Sequence, residues 1–212
     1  MKNVLYRTRF RIFSFLGLVP DSGSFEKREK AIERDYNYLL EIQQSDELAR
    51  FEELKNYFAE DKKRIKHALK VTAYAEKLTA TFKERYSDKD INEQVIIYSA
   101  VLHDIGIKNS ELKYNSSAGH YQEIEGPPVA REIMESLNID FEMMDEIAEI
   151  IAHHHSPGQV SSNNFKLLYD ADWLVNLAEV HDLKNMNSAQ KKRLIEKTYL
   201  TEIGKELARE NF

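Results

Sequence analysis

The side chains best suited to chemistry in this 212-residue chain are histidines and aspartates in or beside apolar segments. His67 lies at the flank of an apolar stripe with helical spacing. His103 and Asp104 end the most hydrophobic stretch of the chain, VIIYSAVLHDI, and His154 and His155 follow another apolar segment. Imidazole and carboxylate groups are ligands for divalent Zn, Mn, Fe and Co. This placement suggests a metal site, provided that the fold brings the groups together.

The His103–Asp104 pair needs compensation if it is buried. Burying an ionised carboxylate without a partner costs several kcal/mol or more, and a divalent cation offsets that cost. The alternative is a helix end that reaches solvent, with His103 near the negative end of the helix dipole. The pair by itself does not decide between the two.

The other candidates also have structural alternatives. His154 follows Ile150 and His155 follows Ile151 at a spacing of four, so both are predicted to face inward. They could instead pair with buried acids, and His67 could be a hydrogen-bonded core histidine.

Two aspartates compete for one position in the segment Asp170-Ala171-Asp172. Each continues an apolar stripe, so periodicity does not choose between them, and either could be an acid near a positive helix start.

The elements that must position these residues are predicted to be helices. The 7 glycines and 4 prolines are few, and apolar residues recur at helical spacing. A polar loop is predicted from Lys108 to about Glu125, and Gly126-Pro127-Pro128 is predicted to open the next helix, because proline is tolerated in the first turn. In an antiparallel bundle, facing helices can bring ligands to one centre. Helices are predicted over residues 25–58 (one or two), 61–86, 91–105, 126 onward, 141–155, 164–180 and 187–210.

Composition excludes some classes of protein. The formal net charge of −6 shows no dominant basic footprint, so we do not expect binding to a DNA or RNA duplex. The absence of cysteine excludes a thiolate zinc site and suits a cytoplasmic location. No apolar run approaches the length of a membrane span. Residues 1–24 contain a short basic and apolar stretch, interpreted as a segment that packs on the domain or a partner rather than as a targeting signal.

The chain contains, in this order, the five stretches RIKHALKV, AVLHDIGIK, EGPPVAREI, IIAHHHSP and DADWLVNL. Together they resemble the HD-domain superfamily of metal-dependent phosphohydrolases. The resemblance covers residues 62–180 and implies an all-α fold, an HD-domain helical bundle with additional N-terminal helices. We expect N-terminal helices packing on the core in residues 1–60, the HD domain in 61–185 and a C-terminal helical segment in 186–212.

The resemblance implies a specific ligand set for a divalent transition metal, with Mn, Fe, Co, Zn and Ni not distinguished. The Ala-Asp-x-Leu context of the family favours Asp172 over Asp170. Members that bind two ions recruit paired histidines, which here are His154 and His155. Gln122 stands where such members often have a further histidine. The implied ligands of the first ion are His67, His103, Asp104 and Asp172.

The implied activity is hydrolysis of a phosphomonoester or phosphodiester, with a nucleotide as the expected small phosphorylated substrate. Lys108 is expected to contact phosphate, and the loop 109–125 to cover the substrate, with His120 and Glu123 as further substrate-binding residues. Ser156-Pro157-Gly158 replaces the Gly-Tyr-Pro signature of cyclic-di-nucleotide phosphodiesterases, so that activity is not expected. The expected catalytic residues are Asp104, Lys108, His154 and His155.

Two other functions fit the same residues. An HD fold could keep its ligands and act as a non-catalytic metal- or nucleotide-binding sensor. A helical protein without metal, stabilised by His–Asp pairs, is the other alternative. The sequence leaves the oligomeric state open, including a homo-oligomer.

Overall fold

The computed structural model describes residues 46–59, 61–180 and 182–212. The part of residues 25–58 before Asp46, and the apolar segment within residues 1–24, lie outside them. The described residues form helices and no strand, which confirms the all-α prediction. The chain divides into two compact units, residues 1–49 and 50–212, and the site lies in the second. The helices are α1 (Asp46–Phe58), α2 (Lys62–Arg85), α3 (Glu93–Leu102), α4 (Ile107–Tyr114), α5 (Gly119–Ser136), α6 (Phe141–His153), α7 (Asn163–Val180), α8 (Ser188–Thr198) and α9 (Glu202–Asn211), with a short 3-10 helix at Leu183–Asn185.

The centre of the unit is α3, which is apolar on every side and buried from Val95 to Leu102. A helix of this kind needs neighbours all round, and α3 packs against α2, α6 and α7. Its first turn is capped by Asn92, whose side chain accepts hydrogen bonds from the backbone of Gln94 and Val95. This buried helix ends at Leu102, and the next residue, His103, therefore has its side chain within the core.

The prediction of a polar loop from Lys108 to about Glu125 is wrong. Residues 107–114 form α4, which ends at Asn115 in the left-handed conformation (φ 48°). Helix α5 begins at Gly119, so Pro127 and Pro128 lie inside it rather than at its start.

Close packing explains why the helix continues through these prolines. A proline inside a helix removes one hydrogen bond and crowds the preceding turn. Here the backbone of Gly106 lies against α5 at Gln122 and Gly126, where a side chain on either glycine would collide with neighbours. Tertiary contacts therefore outweigh the local cost of the prolines.

The C-terminal segment, predicted to be helical over 187–210, forms two helices with a break at residues 199–201. The buried Asp170 carboxylate, on α7, accepts hydrogen bonds from the backbone N–H of Leu200 (2.7 Å) and Thr201 (2.9 Å) and from the Thr201 hydroxyl (2.6 Å). Thr201 is also the N-cap of α9. Asp170 thus fixes the start of α9 to α7.

None of the helices in the described ranges is long and apolar enough to cross a membrane.

Candidate metal centre

Three helices bring the predicted ligands of the first ion to one place. His67 comes from α2, Asp172 from α7, and His103 and Asp104 from the end of α3 and the turn that follows. Since α2 and α7 both pack on α3, the three helices place these side chains beside one another. His103 is almost fully buried, whereas His67 and Asp104 keep 18% and 22% of their side chains exposed. The opening of the site therefore lies beside His67 and Asp104.

The ligand atoms themselves converge. The Nε2 atoms of His67 and His103 are 3.2 Å apart, and Oδ1 of Asp172 lies 3.1 Å from the first and 3.5 Å from the second. Oδ2 of Asp104 lies 3.6 Å from His67 Nε2 and 3.4 Å from His103 Nε2. All these separations fall within a range of half an ångström.

These distances match a coordination shell. Atoms about 2.1 Å from a common ion lie about 3.0 Å apart at octahedral angles and about 3.4 Å apart at tetrahedral angles. The donor set, two imidazoles and two carboxylates, suits a divalent transition metal and does not select one. Ligand atoms of His67, His103 and Asp104 all lie within 4.8 Å of one another, and Asp172 adds an oxygen beside the two imidazoles, so the residues present fit a divalent ion.

Outer partners orient two of the ligands. His103 donates its Nδ1–H to the carbonyl of Ala100 at 2.8 Å, which leaves Nε2 with a lone pair directed at the cluster. Asn176 donates its side-chain amide to Oδ1 of Asp172 at 2.8 Å. Asn176 was not among the predicted site residues, although its position one turn after Asp172 on the same helix could have indicated it.

The electrostatics of the cluster follow from burial and proximity. Burial opposes a charge on His103, but the carboxylates of Asp104 and Asp172 outweigh it and raise the pKa of His103 well above its ordinary value. Burial also acts against the charged form of Asp172, and hydrogen bonds with His103 and His67 outweigh it and lower the pKa of that carboxyl. The carboxylates are held ionised and attract a positive charge, which a proton or a metal ion can supply.

A second group of ligand atoms shares Asp104 with the first. Suitable atoms of Asp104, His154 and His155 lie within 4.8 Å of one another. Oδ1 of Asp104 is 3.6 Å from Nε2 of His154, while Nδ1 of His154 donates to the carbonyl of Ile151 at 2.7 Å. His154 is buried, and its Nε2 has no hydrogen-bond partner among the described residues. A buried lone pair facing a carboxylate is a place for a cation or a proton.

The first turns of α5 hold His155 from two sides. Glu123 accepts hydrogen bonds from the backbone N–H of His155 (3.0 Å) and the hydroxyl of Ser156 (2.9 Å). At Gly119, a Cβ atom would come within 2.6 Å of Cδ2 of the His155 ring. Glu123, predicted to bind substrate, thus has both carboxylate oxygens engaged by the turn after α6.

Two other predicted substrate contacts, Lys108 and His120, have neighbours of their own. The exposed Lys108 donates to the backbone carbonyl of Tyr57 at 2.9 Å, and its ammonium group lies 4.9 Å from the centre of the Tyr57 ring. His120 is exposed at the start of α5, with its ring 3.9 Å from that of Tyr121. Gln122 is buried and donates to the carbonyl of Ser117.

A match to a protein-family model identifies the class of protein. The model of the HD domain matches residues 64–177, more than half of the chain, and this span contains the whole ligand cluster. The chain belongs to the HD domain family, as the resemblance had indicated. Searches of curated proteins and of solved structures gave no match.

Proposed function

We propose that this protein is a metal-dependent phosphohydrolase that hydrolyses a phosphomonoester or phosphodiester, with a nucleotide as substrate. The observation that supports the proposal most directly is the convergence of His67, His103, Asp104 and Asp172 at separations suited to one divalent ion. Membership of the HD domain family supports the same class of reaction. The proposed ligands of the ion are these four residues.

When bound, a divalent ion supplies Lewis acidity, which makes water a nucleophile near neutral pH and polarises a phosphoryl group. The chain's own contribution begins with Asp104. Its Oδ2 faces His67 and His103, and its Oδ1 faces His154. One oxygen can therefore hold the ion while the other orients the attacking water.

His154 is the proposed proton-transfer group. Its Nδ1–H is donated to a backbone carbonyl, so the neutral ring presents Nε2 as an acceptor toward Asp104. That nitrogen can take a proton from the attacking water and return it to the leaving group. Glu123 and Gly119 keep the adjacent His155 at the edge of the site, where it can contact the substrate or a second ion.

The test is metal content together with turnover. We expect the purified protein, after incubation with Mn²⁺ or Co²⁺ and removal of free ion, to retain metal near stoichiometry and to hydrolyse nucleotides and bis(p-nitrophenyl) phosphate. The double variant His103→Ala/Asp104→Ala should lose both properties while remaining helical by circular dichroism. A matched control is Asp145→Ala, an exposed acid on α6.

The outcomes separate the alternatives. Metal retention without turnover of any phosphate ester would contradict the proposal and favour a non-catalytic sensor. If neither wild type nor variant retains metal, the centre is a set of structural His–Asp pairs. A double variant that keeps full activity would refute the assignment of the site.

A further inference from the structure

Two lysines stand on either side of His67 on α2. Lys63 precedes it by one turn and Lys70 follows it by one turn, so all three project from neighbouring positions on one side of the helix. His67 lies at the edge of the buried face of α2, next to the side that meets solvent. Lys63 is exposed and Lys70 partly exposed. His67 is thus flanked along α2 by two solvent-accessible lysines, Lys63 and Lys70, here called the lysine pair.

The lysine pair has no ion-pair partner among the described residues, unlike several other cations of the chain. Arg64, which lies between Lys63 and His67 in sequence, is engaged by Asp61 (2.9 Å) and Glu111 (2.6 Å). Lys83 pairs with Glu93 at 2.7 Å. Lys66 and Lys77 of α2 also have no ion-pair partner in the described part of the chain, so it is the position on the same side of the helix as His67 that suits the lysine pair to an anion arriving with the substrate.

The position of the lysine pair relative to the metal ligands indicates which part of a substrate it binds. The metal ligands and the ion they hold account for the phosphoryl group that reacts. The Cβ atoms of Lys63 and Lys70 lie about 5–6 Å from that of His67 along the helix, and neither lysine is among the residues whose ligand atoms converge. Positive charges beside the ligand cluster, but not part of it, suit a second part of the substrate rather than the reacting phosphoryl group.

We propose that Lys63 and Lys70 bind a second phosphoryl group of the substrate, so that this centre prefers nucleotides with at least two phosphoryl groups to nucleoside monophosphates. The inference rests on the proposed phosphohydrolase function and narrows its substrate class. The lysine pair lowers the KM for such a substrate by charge attraction, and the ligand cluster carries out hydrolysis.

The test compares AMP and ADP, which share a base and sugar and differ by one phosphoryl group. With Mn²⁺ held in excess, we expect wild type to show a KM for ADP about tenfold below that for AMP. Lys63→Gln/Lys70→Gln should raise the KM for ADP about tenfold, remove this preference and leave kcat for AMP within about twofold. The matched control is Lys77→Gln. Lys77 is a partly exposed lysine about 15 Å from His67 along α2.

Refutation of the role proposed for the lysine pair can be distinguished from refutation of the proposed phosphohydrolase function. Equal KM values for AMP and ADP in wild type, or an unchanged preference in the double variant, would overturn the inference while leaving hydrolysis intact. If wild type hydrolyses neither nucleotide, calorimetric titration with inorganic pyrophosphate measures the lysine pair directly. Weaker binding in the double variant but not in Lys77→Gln supports the pair, and equal binding in all three proteins refutes it.

Discussion

Asp170 and Asp172 are two residues apart on α7, yet their carboxylates bond to different parts of the molecule. Asp172 lies 3.1 Å from His67 in the candidate metal centre. Asp170 accepts three hydrogen bonds from the backbone and side chains that start α9. Residues two apart on a helix point about 200° from one another, so one acid faces the centre and the other faces the C-terminal segment.

This relationship predicts that two matched substitutions affect different properties, one the affinity for metal and the other the stability of the fold. Asp172→Asn should reduce the affinity for Mn²⁺ at least tenfold, because an amide oxygen is a poorer ligand than a carboxylate, with little loss of stability. Asp170→Asn should lower the free energy of unfolding by about 2–3 kcal/mol, because it disturbs a buried acceptor of three hydrogen bonds. Calorimetric Mn²⁺ titration and urea unfolding measure the two effects. Loss of metal binding in folded Asp170→Asn alone would reverse the assignment.

A bound metal should stabilise the folded chain, because the ligand cluster forms only when α2, α3 and α7 are packed together. A ligand that binds only the native state at about 100 times its Kd adds about 2.7 kcal/mol to the free energy of unfolding. We expect Mn²⁺ to raise the melting temperature of wild type and EDTA to return it to the lower value. His67→Gln should have a melting temperature that does not respond to Mn²⁺. An equal rise in both proteins would place the metal elsewhere.

Gly119→Ala should impair the site without unfolding the protein. A methyl group there would lie 2.6 Å from Cδ2 of His155, so the ring must move. Gly119 is the first residue of α5 and does not have a positive φ, so its backbone conformation is open to alanine. We expect kcat to fall several-fold in a protein that remains folded, and the melting temperature is measured beside turnover to show this. Unchanged kinetics would show that the position of His155 does not matter for catalysis.

The contact between α4 and α5 predicts a pH effect. The buried Glu125 accepts hydrogen bonds from the Lys113 ammonium group and the Tyr114 hydroxyl, which lower the pKa of its carboxyl below the ordinary 4.5. Because the folded-state pKa is lowered, this contribution to stability is present above pH 4.5 and is lost as the pH falls through the folded-state value.

The measurement is urea unfolding of wild type and Glu125→Gln between pH 7 and pH 3. The difference in the free energy of unfolding should be largest near neutral pH and should shrink in acid. Glu135→Gln, an exposed acid on the same helix, is the matched control. A constant difference across this range would contradict the role given to ionised Glu125.

The site residues could be proposed from sequence because their types are unusual for their surroundings. His103 and Asp104 end an apolar helix, and an imidazole beside a carboxylate in such a position needs a partner. The two positions of the HD motif and the later aspartate are local signals. By contrast, the hydrogen bond from the Lys108 ammonium group to the carbonyl of Tyr57 joins residues 51 positions apart. No local pattern indicates a contact of that kind.

The helices after the His103–Asp104 pair also could not be predicted from local sequence patterns. Polar residues and two prolines predicted a loop and a late helix start, whereas α4 and α5 occupy most of that stretch. Local propensity is a weak influence when a segment packs closely, as the Gly106–Gly126 contact shows.

The sequence alone determined that the chain is all-helical, that it belongs among HD domains, and which residue types form the candidate centre. These features depend on periodicity and on short motifs, which are properties of neighbouring residues. The tertiary structure decided which acid of the Asp170–Asp172 pair faces the centre in space and what holds His155. Those features depend on how whole helices are rotated and packed against one another, and that packing is set by contacts between residues far apart in the chain.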